Sequence, residues 1–487
     1  MPLANQDLDR IRDATNAAVE RYHLPGIAIG VVQGDDLVFA EGFGYADIES
    51  GKPQDPNMRQ RIGSITKTMV GLCAMALVEG GKLSLDERLV DRLPELTLLG
   101  PGEAVTVKHL LTHTAGIGEV PVVADLPRME ETLWCDEPYT TRIPESYPDG
   151  ITIDVPPGTK WAYANHGFML LGGIIARAEQ APIHEVLKRR VFGPLGMTDT
   201  DCLDLQHEKL TTGYHRAPSQ DLLDLLARAG IEPPKPEEPV DGHNIRGRYQ
   251  YVRGPAAGAV QSTIPDMARY ASALLKKSAG IVKPATFDDM LAPHWRPDDR
   301  LVSMGLTFFR ETRFRRRTFG HGGGVSGGWN THICVVPEED LALLTHCNLT
   351  FEDFAKVDGH ILQAVLGETD VKLPKTAVDP ALLAAAPGVY QATEGRLTNF
   401  RIATGSGRVQ LSDRDGELVL HAQRGPWKDG AVLRPADPDD PAFFRLDTGE
   451  PEPPGLALVR DRSGAVTGLR FERLVEMVRS DGVEPWA

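Results

Sequence analysis

Ser64 and Lys67 are the first residues of this sequence whose types and spacing suggest nucleophilic chemistry. They form the only Ser-x-x-Lys in the 487 residues, and they open the apolar stretch GSITKTMVGLCAMALVEGG. Residues three apart share a helix face, so a helix here would place the Lys67 amine one turn beyond the Ser64 hydroxyl. A serine hydroxyl needs a base to take its proton, and a buried, neutral lysine can be that base. At a helix start, the N–H of Ser64 could also stabilise an oxyanion. Taken alone, the pair is equally typical of a helix surface.

Tyr163 and Asn165 form a second pair with catalytic potential. They make the only Tyr-x-Asn of the chain, between the turn PPGT and the apolar run FMLLGGIIARA. A tyrosine on such a turn can move a proton, and the asparagine amide can hydrogen-bond a substrate amide or Lys67. In isolation, a structural tyrosine and a loop asparagine would explain this motif as well.

The third motif is His321-Gly322-Gly323, within TFGHGGGVSGGWN. Glycines beside a histidine let the backbone approach a ligand closely, although a flexible glycine loop is the simpler alternative. The surroundings lack both the G-x-x-x-x-G-K-[ST] pattern and a strand–GxGxxG–helix context, so we do not expect a nucleotide loop. No Cys-x-x-Cys pair offers a metal site, and we predict neither a metal nor a cofactor.

The three motifs occur once each in this order, with 99 residues from Ser64 to Tyr163 and 158 from Tyr163 to His321. This order resembles the serine β-lactamase and penicillin-binding-protein superfamily, and the Tyr-x-Asn version resembles its class C β-lactamase branch. The phrases HLLTHTAGI, GPAAGAVQSTIPDMARY and GHGGGVSGGW also resemble that branch. The resemblance covers about residues 5–366. It implies an α/β (α+β) β-lactamase/transpeptidase-like fold, with an antiparallel sheet flanked by helices and an all-helical subdomain.

The resemblance also implies a role for each motif residue. Ser64 would be the nucleophile that forms an acyl-enzyme, and Lys67 would be its general base. Tyr163 would pass protons between the leaving group and the nucleophile, and Asn165 would orient the substrate and Lys67. The N–H groups of Ser64 and Gly324 would form the oxyanion hole. The remaining substrate contacts would come from the glycine-rich strand, at His321, Gly322, Gly323 and Gly324.

The third motif departs from the β-lactamase pattern, and this departure shapes the predicted function. Those enzymes commonly carry Lys-Thr-Gly, whose cation and hydroxyl meet the substrate's carboxylate. Here a titratable imidazole replaces the fixed charge, and the threonine hydroxyl is absent. The N-terminus lacks the pattern of a signal peptide, so we expect a cytoplasmic protein rather than one acting on the cell wall. We therefore predict a serine hydrolase that cleaves amide or peptide bonds of small peptides or amino-acid amides, with a D-stereospecific aminopeptidase or amidase as one form.

Other functions remain open at this point. A carboxylesterase or a β-lactamase would use the same acyl-enzyme chemistry. An acyltransferase, such as a peptide-cyclising thioesterase, would pass the acyl group to an amine instead of water. A non-catalytic binding or sensor protein is a different class, which the intact Ser64, Lys67 and Tyr163 disfavour. The substrate, the stereopreference and any homo-oligomer are left open by the sequence.

Several elements must position these motifs. GIAIGVVQG and LVFAEGFGYAD predict a strand hairpin, and a helix is predicted from Ser64 to about Val78, ending at Gly80-Gly81. Residues 82–205 read as mostly helical. Strand signals return in SMGLTFF, THICVVP and LALLTHCN, and a helix is predicted over 352–366.

Two long irregular segments, 118–155 and 213–254, are either lids or solvated insertions, and for the second we favour a solvated insertion. The basic stretch FFRETRFRRRTF predicts a hairpin with mostly solvated arginines, although one of them could meet a substrate carboxylate. His109 and His113 are expected to be structural, hydrogen-bonded residues.

The C-terminal part has a different pattern. From GVYQAT onward, short alternating segments recur every ten or so residues between turn signals, which is typical of a small antiparallel barrel or sandwich. We predict a hydrolase domain over 1–370, a linker over 371–387 and a barrel over 388–487. The barrel resembles the lipocalin-like domains attached to D-aminopeptidases.

The amino-acid composition disfavours several classes of binding partner. The net charge is −16, from 52 Lys+Arg and 68 Asp+Glu, which disfavours binding to nucleic acid or to an anionic membrane surface. No apolar run approaches the roughly 18 residues of a membrane-spanning helix. The five scattered cysteines predict thiols in a reducing compartment. A small molecule or short peptide is therefore the expected partner.

Overall fold

The computed structural model describes residues 4–118, 134–135, 146–203, 206–278, 280–325, 327–392, 406–480 and 482. The long segment expected at 118–155 falls largely outside the described residues. One of the alternating segments of the predicted barrel, NFRIAT at 399–404, falls wholly outside them. The lid hypothesis for the first of these stays a prediction.

An antiparallel sheet forms the centre of the N-terminal part. In the described ranges its strands are β1 Gly26–Gln33, β2 Asp36–Asp47, β3 Lys52–Pro53, β4 Ser303–Met304, β5 Phe309–Arg313, β6 Arg316–Val325, β7 Trp329–Val336 and β8 Leu341–Cys347. They lie in the order β4-β5-β6-β7-β8-β1-β2-β3. The strands predicted from GIAIGVVQG, LVFAEGFGYAD, THICVVP and LALLTHCN are confirmed as β1, β2, β7 and β8, whereas SMGLTFF is divided between β4 and the start of β5.

Both faces of the sheet are covered, as the sequence of β1 requires. Ile27, Ile29 and Val31 pack in one hydrophobic cluster, whereas Ala28 and Val32 belong to another on the opposite face. Successive side chains of a strand point to opposite faces, so a continuous apolar strand needs a layer on each side. This places β1 in the middle of a three-layer structure.

The helices in the described ranges are α1 Asn5–Arg21, α2 Thr66–Glu79, α3 Leu89–Arg92, α4 Val107–Leu111, α5 Asn165–Glu179, α6 Ile183–Leu187, α7 Gln220–Arg228, α8 Pro255–Gly258, α9 Ile264–Leu275, α10 Pro284–Met290, α11 Phe354–Leu366 and α12 Pro380–Ala385. The expectation that residues 82–205 are mostly helical is wrong. Among the described residues there, only α3 to α6, a 3₁₀ turn at Gly102–Ala104 and a short π-helical turn are helical, because proline and glycine interrupt the chain repeatedly. No helix of the described ranges is long and apolar enough to cross a bilayer.

A closed antiparallel barrel forms the C-terminal part. Its strands in the described ranges are β9 Gly388–Gln391, β10 Val409–Arg414, β11 Glu417–Ala422, β12 Ala431–Asp437, β13 Asp440–Asp447, β14 Gly455–Arg460, β15 Val466–Phe471 and β16 Val475–Arg479. Strands β9 to β15 confirm the alternating segments predicted from GVYQAT onward, whereas the sequence reasoning missed β16. The barrel core also takes in Val378, Leu382 and Ala386, so α12 and its flanks pack against the barrel.

The barrel is tied to the N-terminal part by charged contacts. Arg313 Nε donates to Glu452 Oε2 at 2.9 Å, and Phe314 N donates to Glu452 Oε1 at 2.7 Å. Arg300 Nη1 donates to Asp440 Oδ2 at 2.6 Å. Such charge-assisted bonds fix orientation as well as supply energy. The barrel therefore has a defined position relative to the sheet.

Two expectations need correction here. The hairpin of FFRETRFRRRTF is confirmed as β5 and β6, but its arginines are not mostly solvated. Arg310, Arg313 and Arg316 are half-buried, and each donates to a hydroxyl or a carboxylate. Only Arg315 and Arg317 are exposed. The segment 213–254 is exposed around its prolines, yet α7 contacts the barrel through an Asp221–Lys428 pair at 3.2 Å. It is therefore only in part a solvated insertion.

Candidate active site

Ser64 lies at the entrance to α2. It sits in a 3₁₀ turn, Gly63–Ile65, and the α-helix begins at Thr66, two residues later than the sequence predicted. Ser64 is half-buried, whereas Lys67 in the first turn of α2 is fully buried. The helix is apolar on nearly all sides, so the core around it holds Lys67 in place. The predicted neighbours are thus brought together at a rigid helix start.

The Lys67 amine lies among three oxygen atoms. Nζ is 2.8 Å from Ser64 Oγ, 2.7 Å from Asn165 Oδ1 and 2.5 Å from the Ala257 carbonyl oxygen. Both carbonyl oxygens can only accept, and a neutral lysine has two N–H bonds and one lone pair. With its two hydrogens on these carbonyls, the lone pair of a neutral Lys67 faces the Ser64 hydroxyl. This is the arrangement that a general base requires.

Tyr163 lies on the other side of the amine. Lys67 Nζ is 5.1 Å from the centre of the Tyr163 ring and 5.7 Å from that of Phe168. Tyr163 is 8% exposed, in the extended segment that leads into α5, and Asn165 is the first residue of that helix. The second motif is therefore next to the first, as the sequence predicted.

The glycine-rich strand β6 approaches the Ser64 turn very closely. A β-carbon on Gly323 would lie 2.0 Å from the Ile62 carbonyl oxygen, which no side chain can do. Gly63 has a φ of +52°, and a β-carbon there would be 2.9 Å from Gly324 N. Glycine is needed at both positions, one for space and the other also for its left-handed backbone. The amide of Gly324 is thereby brought beside the Ser64 turn.

His321 occupies an aromatic environment rather than an open, charged one. It is 3% exposed, and its Nδ1 is 2.6 Å from the Gly322 carbonyl oxygen, to which it must donate. Its ring centre is 5.0 Å from that of Phe309 and 6.1 Å from that of Tyr163. His321 of the third motif therefore lies next to Tyr163 of the second motif.

An apolar cluster, which we call the Trp161 wall, packs around Tyr163 and was missed by the sequence reasoning. Its buried members are Trp161, Tyr163, Val302, Met304 and Leu474, with Trp295 and Phe309 packed against them. These residues come from the loop before α5, from the segment between α10 and β4, from β4 and β5, and from the barrel. The only local signal was the aromatic residue two positions before Tyr163.

A buried arginine next to the Ser64 turn is a second feature that the sequence reasoning missed. Arg61 is fully buried, and its guanidinium carbon lies 4.6 Å from the Tyr249 ring centre and 5.4 Å from that of Trp329. Tyr249 belongs to the segment 213–254, so that segment also contributes to the support of the nucleophile. Cation–π contacts of this kind are strongest when water is excluded.

Among the described residues, no three His, Cys, Asp or Glu side chains are grouped so that they could hold a metal ion. The arrangement around Ser64 instead provides a hydroxyl, an amine, a phenol and a strand edge, which are the parts of an acyl-transfer site.

Comparisons with known proteins identify the family of this chain and its fold. Esterase EstB of Burkholderia gladioli is 27% identical over 298 residues, which cover 59% of this chain and 74% of the esterase. The octameric penicillin-binding protein homologue from Pyrococcus abyssi has a TM-score of 0.60 and 21% identity, over 97% of this chain and 100% of that one. The D-amino acid amidase from Ochrobactrum anthropi SV3 has a TM-score of 0.59 and 22% identity, over 74% and 99%. The family model described as Beta-lactamase matches residues 11–366, most of the chain, and the chain therefore belongs to the β-lactamase family.

Proposed function

We propose that this protein is a serine hydrolase that forms an acyl-enzyme on Ser64 and cleaves amide bonds of short peptides or amino-acid amides. The observation that carries this proposal is the 2.8 Å separation of Lys67 Nζ and Ser64 Oγ, with two carbonyl oxygens on the remaining sides of the amine. Membership of the β-lactamase family supports the same chemistry.

In the first step, Ser64 Oγ forms a bond to the substrate carbonyl carbon while its proton passes to Lys67 Nζ. The carbonyl oxygen becomes an oxyanion, which the N–H groups of Ser64 and Gly324 would stabilise. The close approach of Gly63 to Gly324 supports this pairing of amides. Removing one such donor typically costs about 10²–10³ in rate.

In the second step, the bond from carbon to the leaving nitrogen breaks. The nitrogen takes a proton from the Tyr163 hydroxyl, and Tyr163 recovers it from Lys67. The position of Tyr163 beside Lys67 supports this relay. Water then attacks the acyl-enzyme by the reverse sequence of proton transfers, releasing the acid and restoring Ser64.

The substrate preference rests on the glycine-rich strand. His321 is buried against Phe309 and bonded to its neighbour's carbonyl oxygen, so the position does not present the fixed cation and hydroxyl of a Lys-Thr-Gly strand. A β-lactam carboxylate would lose a charge-assisted bond worth about 1.5–3 kcal/mol. We therefore expect cephalosporins to be poorer substrates than small amides.

Ester hydrolysis is the second candidate, and one observation favours it. The Trp161 wall offers an apolar surface beside Tyr163, which suits the apolar alcohol of an ester. The similarity to esterase EstB points in the same direction. Because the acyl-enzyme chemistry is shared, only measured rates separate the two.

The test combines covalent labelling with a substrate panel. Intact-protein mass spectrometry after a fluorophosphonate should show one adduct, located on Ser64. Ser64→Ala should lose turnover by a factor of about 10³ or more, whereas Ser84→Ala, at an exposed serine, should not. An adduct elsewhere, or none, would refute the mechanism.

The panel comprises a cephalosporin, a D-alanyl amide, its L-isomer and a p-nitrophenyl ester, compared by kcat/KM. Higher values for either amide than for the cephalosporin support the proposed amide preference. Efficient cephalosporin turnover without amide cleavage would identify a β-lactamase instead. Ester cleavage alone would favour the second candidate.

A further inference from the structure

We propose that His113 is a positioning residue for Tyr163, holding the ring and the backbone of that tyrosine so that its hydroxyl can protonate the leaving group. This inference rests on the proposed function, because it assigns His113 a task within the Ser64 reaction. The sequence reasoning expected His113 to be merely structural. Its surroundings give it a more specific task.

The backbone of His113 is strained. Its φ is +57°, in the left-handed region that residues with a side chain rarely adopt. It follows α4 and is 2% exposed, so the conformation is held by the packed protein. Such a conformation persists only where the surrounding structure enforces it.

His113 accepts hydrogen bonds from the main chain on both sides of Tyr163. The Ala162 N–H donates to the His113 carbonyl oxygen at 2.9 Å, and the Ala164 N–H donates to His113 Nδ1 at 3.1 Å. One residue therefore binds the two main-chain amides that flank the tyrosine. The carbonyl oxygen and the side chain of this one left-handed residue thus accept hydrogen bonds from amides two positions apart.

His113 also holds the tyrosine ring. The two ring centres are 4.2 Å apart and the planes are inclined by 27°, which is a stacked arrangement. Two further aromatic rings lie near the imidazole. The ring centre of Phe168 is 5.1 Å from that of His113, and the ring centre of Trp161 is 6.0 Å from it. A tyrosine has only two rotatable side-chain bonds, so stacking together with a fixed backbone determines where its hydroxyl lies.

The hydrogen bond fixes the form of the imidazole. Because Nδ1 accepts an N–H, the proton of the neutral ring is on Nε2. An asparagine can replace the accepting atom with its Oδ1 and tolerates the left-handed conformation. A phenylalanine can replace the ring but not the acceptor. The two functions of His113 can therefore be removed separately.

The readout is the dependence of rate on the leaving group. An alkyl ester or amide needs a proton on its leaving atom, whereas p-nitrophenolate leaves as a stabilised anion and needs little help. Loss of a well-placed acid should thus lower kcat for the amide or alkyl ester far more than for the p-nitrophenyl ester of the same acyl group. A general loss of folded protein would lower both rates equally.

The experiment compares Tyr163→Phe, His113→Ala, His113→Asn and His113→Phe in the full-length chain. We expect Tyr163→Phe to lower kcat selectively for the poor leaving group. His113→Ala should show the same selectivity, about 10–100-fold, with KM changed less than about threefold, since general acid catalysis contributes about 10²–10⁴. His113→Asn, which restores the acceptor, should recover part of this loss.

His109→Asn is the matched control. His109 lies one helical turn earlier, and its Nδ1 also accepts a main-chain N–H, from Thr106 at 3.1 Å. This variant should change both substrates in equal proportion. If Tyr163→Phe is selective and the three His113 variants are not, the inference about His113 is wrong while the proposed function stands. If Tyr163→Phe itself shows no selectivity, the proton relay of the proposed function is wrong, and the role of His113 with it.

Discussion

Leu474 of the barrel and Tyr163 of the loop before α5 lie in one buried hydrophobic cluster, although 311 residues of sequence separate them. Leu474 is 8% exposed, ends the short 3₁₀ turn between β15 and β16, and has a φ of +62°. The turn therefore extends an apolar side chain from the barrel to the edge of the candidate active site. The barrel supplies part of the surface next to the proposed proton donor.

Shortening this side chain should change which substrates fit. Leu474→Ala removes part of the Trp161 wall, so kcat/KM should rise for esters or amides with bulky leaving groups relative to those with small ones. Val478→Ala is the control, because Val478 is an exposed apolar residue of the same barrel. The prediction is contradicted if both variants show the substrate profile of the wild type.

The proposed division into two domains predicts where proteases cut the chain. We propose that the hydrolase and barrel parts are separable units joined in the first part of the predicted linker 371–387, since Val378 already belongs to the barrel core. Limited proteolysis of the native protein should cut in that stretch, or near Pro233 in the exposed part of the segment 213–254. N-terminal sequencing of the fragments locates the cuts. Early cleavage inside β9 to β16 would rule out a compact barrel unit.

His321 should influence activity through its charge. At low pH a histidine gains a second proton, whereas a lysine is charged throughout the working range and a glutamine never is. Because His321 lies 6.1 Å from the Tyr163 ring, a new charge there would alter proton transfer, and we expect the wild-type rate to fall on the acid side. Neither His321→Lys nor His321→Gln should show this acid limb. Three superimposable pH profiles would mean that His321 acts only as a packed ring.

Glu179 should make the stability of the protein depend on acid pH. Hydrogen bonds from Arg190 above all, and from Lys82 and Arg189, lower the pKa of Glu179 to about 2, and its side chain is only 3% exposed. Since the folded state holds this carboxylate ionised, its contribution is complete above about pH 5 and is lost as the pH falls from about 4.5 toward 2.

Glu179→Gln should therefore lower the free energy of unfolding by about 1–3 kcal/mol at pH 7, with a smaller difference below pH 3. Denaturant titrations at several pH values measure this difference. Glu185→Gln, at an exposed carboxylate in the next helix, serves as the control and should have little effect. A constant difference at all pH values would show that Glu179 contributes by packing rather than by charge.

The sequence by itself named the residues of the candidate site and the type of many, but not all, of the main elements. Ser64, Lys67, Tyr163 and Asn165 could be named because their chemistry depends on residue type and short spacing. The strands β1, β2, β7 and β8 could be named because hydrophobic alternation is a local property. The start of α2 was misplaced by two residues, since a 3₁₀ turn and a helix differ little in their side-chain pattern.

The tertiary structure decided what surrounds those residues. No spacing rule could indicate that Leu474 packs near Tyr163, that Arg61 lies under Tyr249, or that His113 stacks on the proposed proton donor. The tertiary structure also showed that Arg313, expected to be mostly solvated, donates a hydrogen bond to Glu452 of the barrel. These contacts join distant parts of the chain, and their geometry follows from the packing of whole layers. Local sequence specifies which groups are available, and only the folded core determines which of them meet.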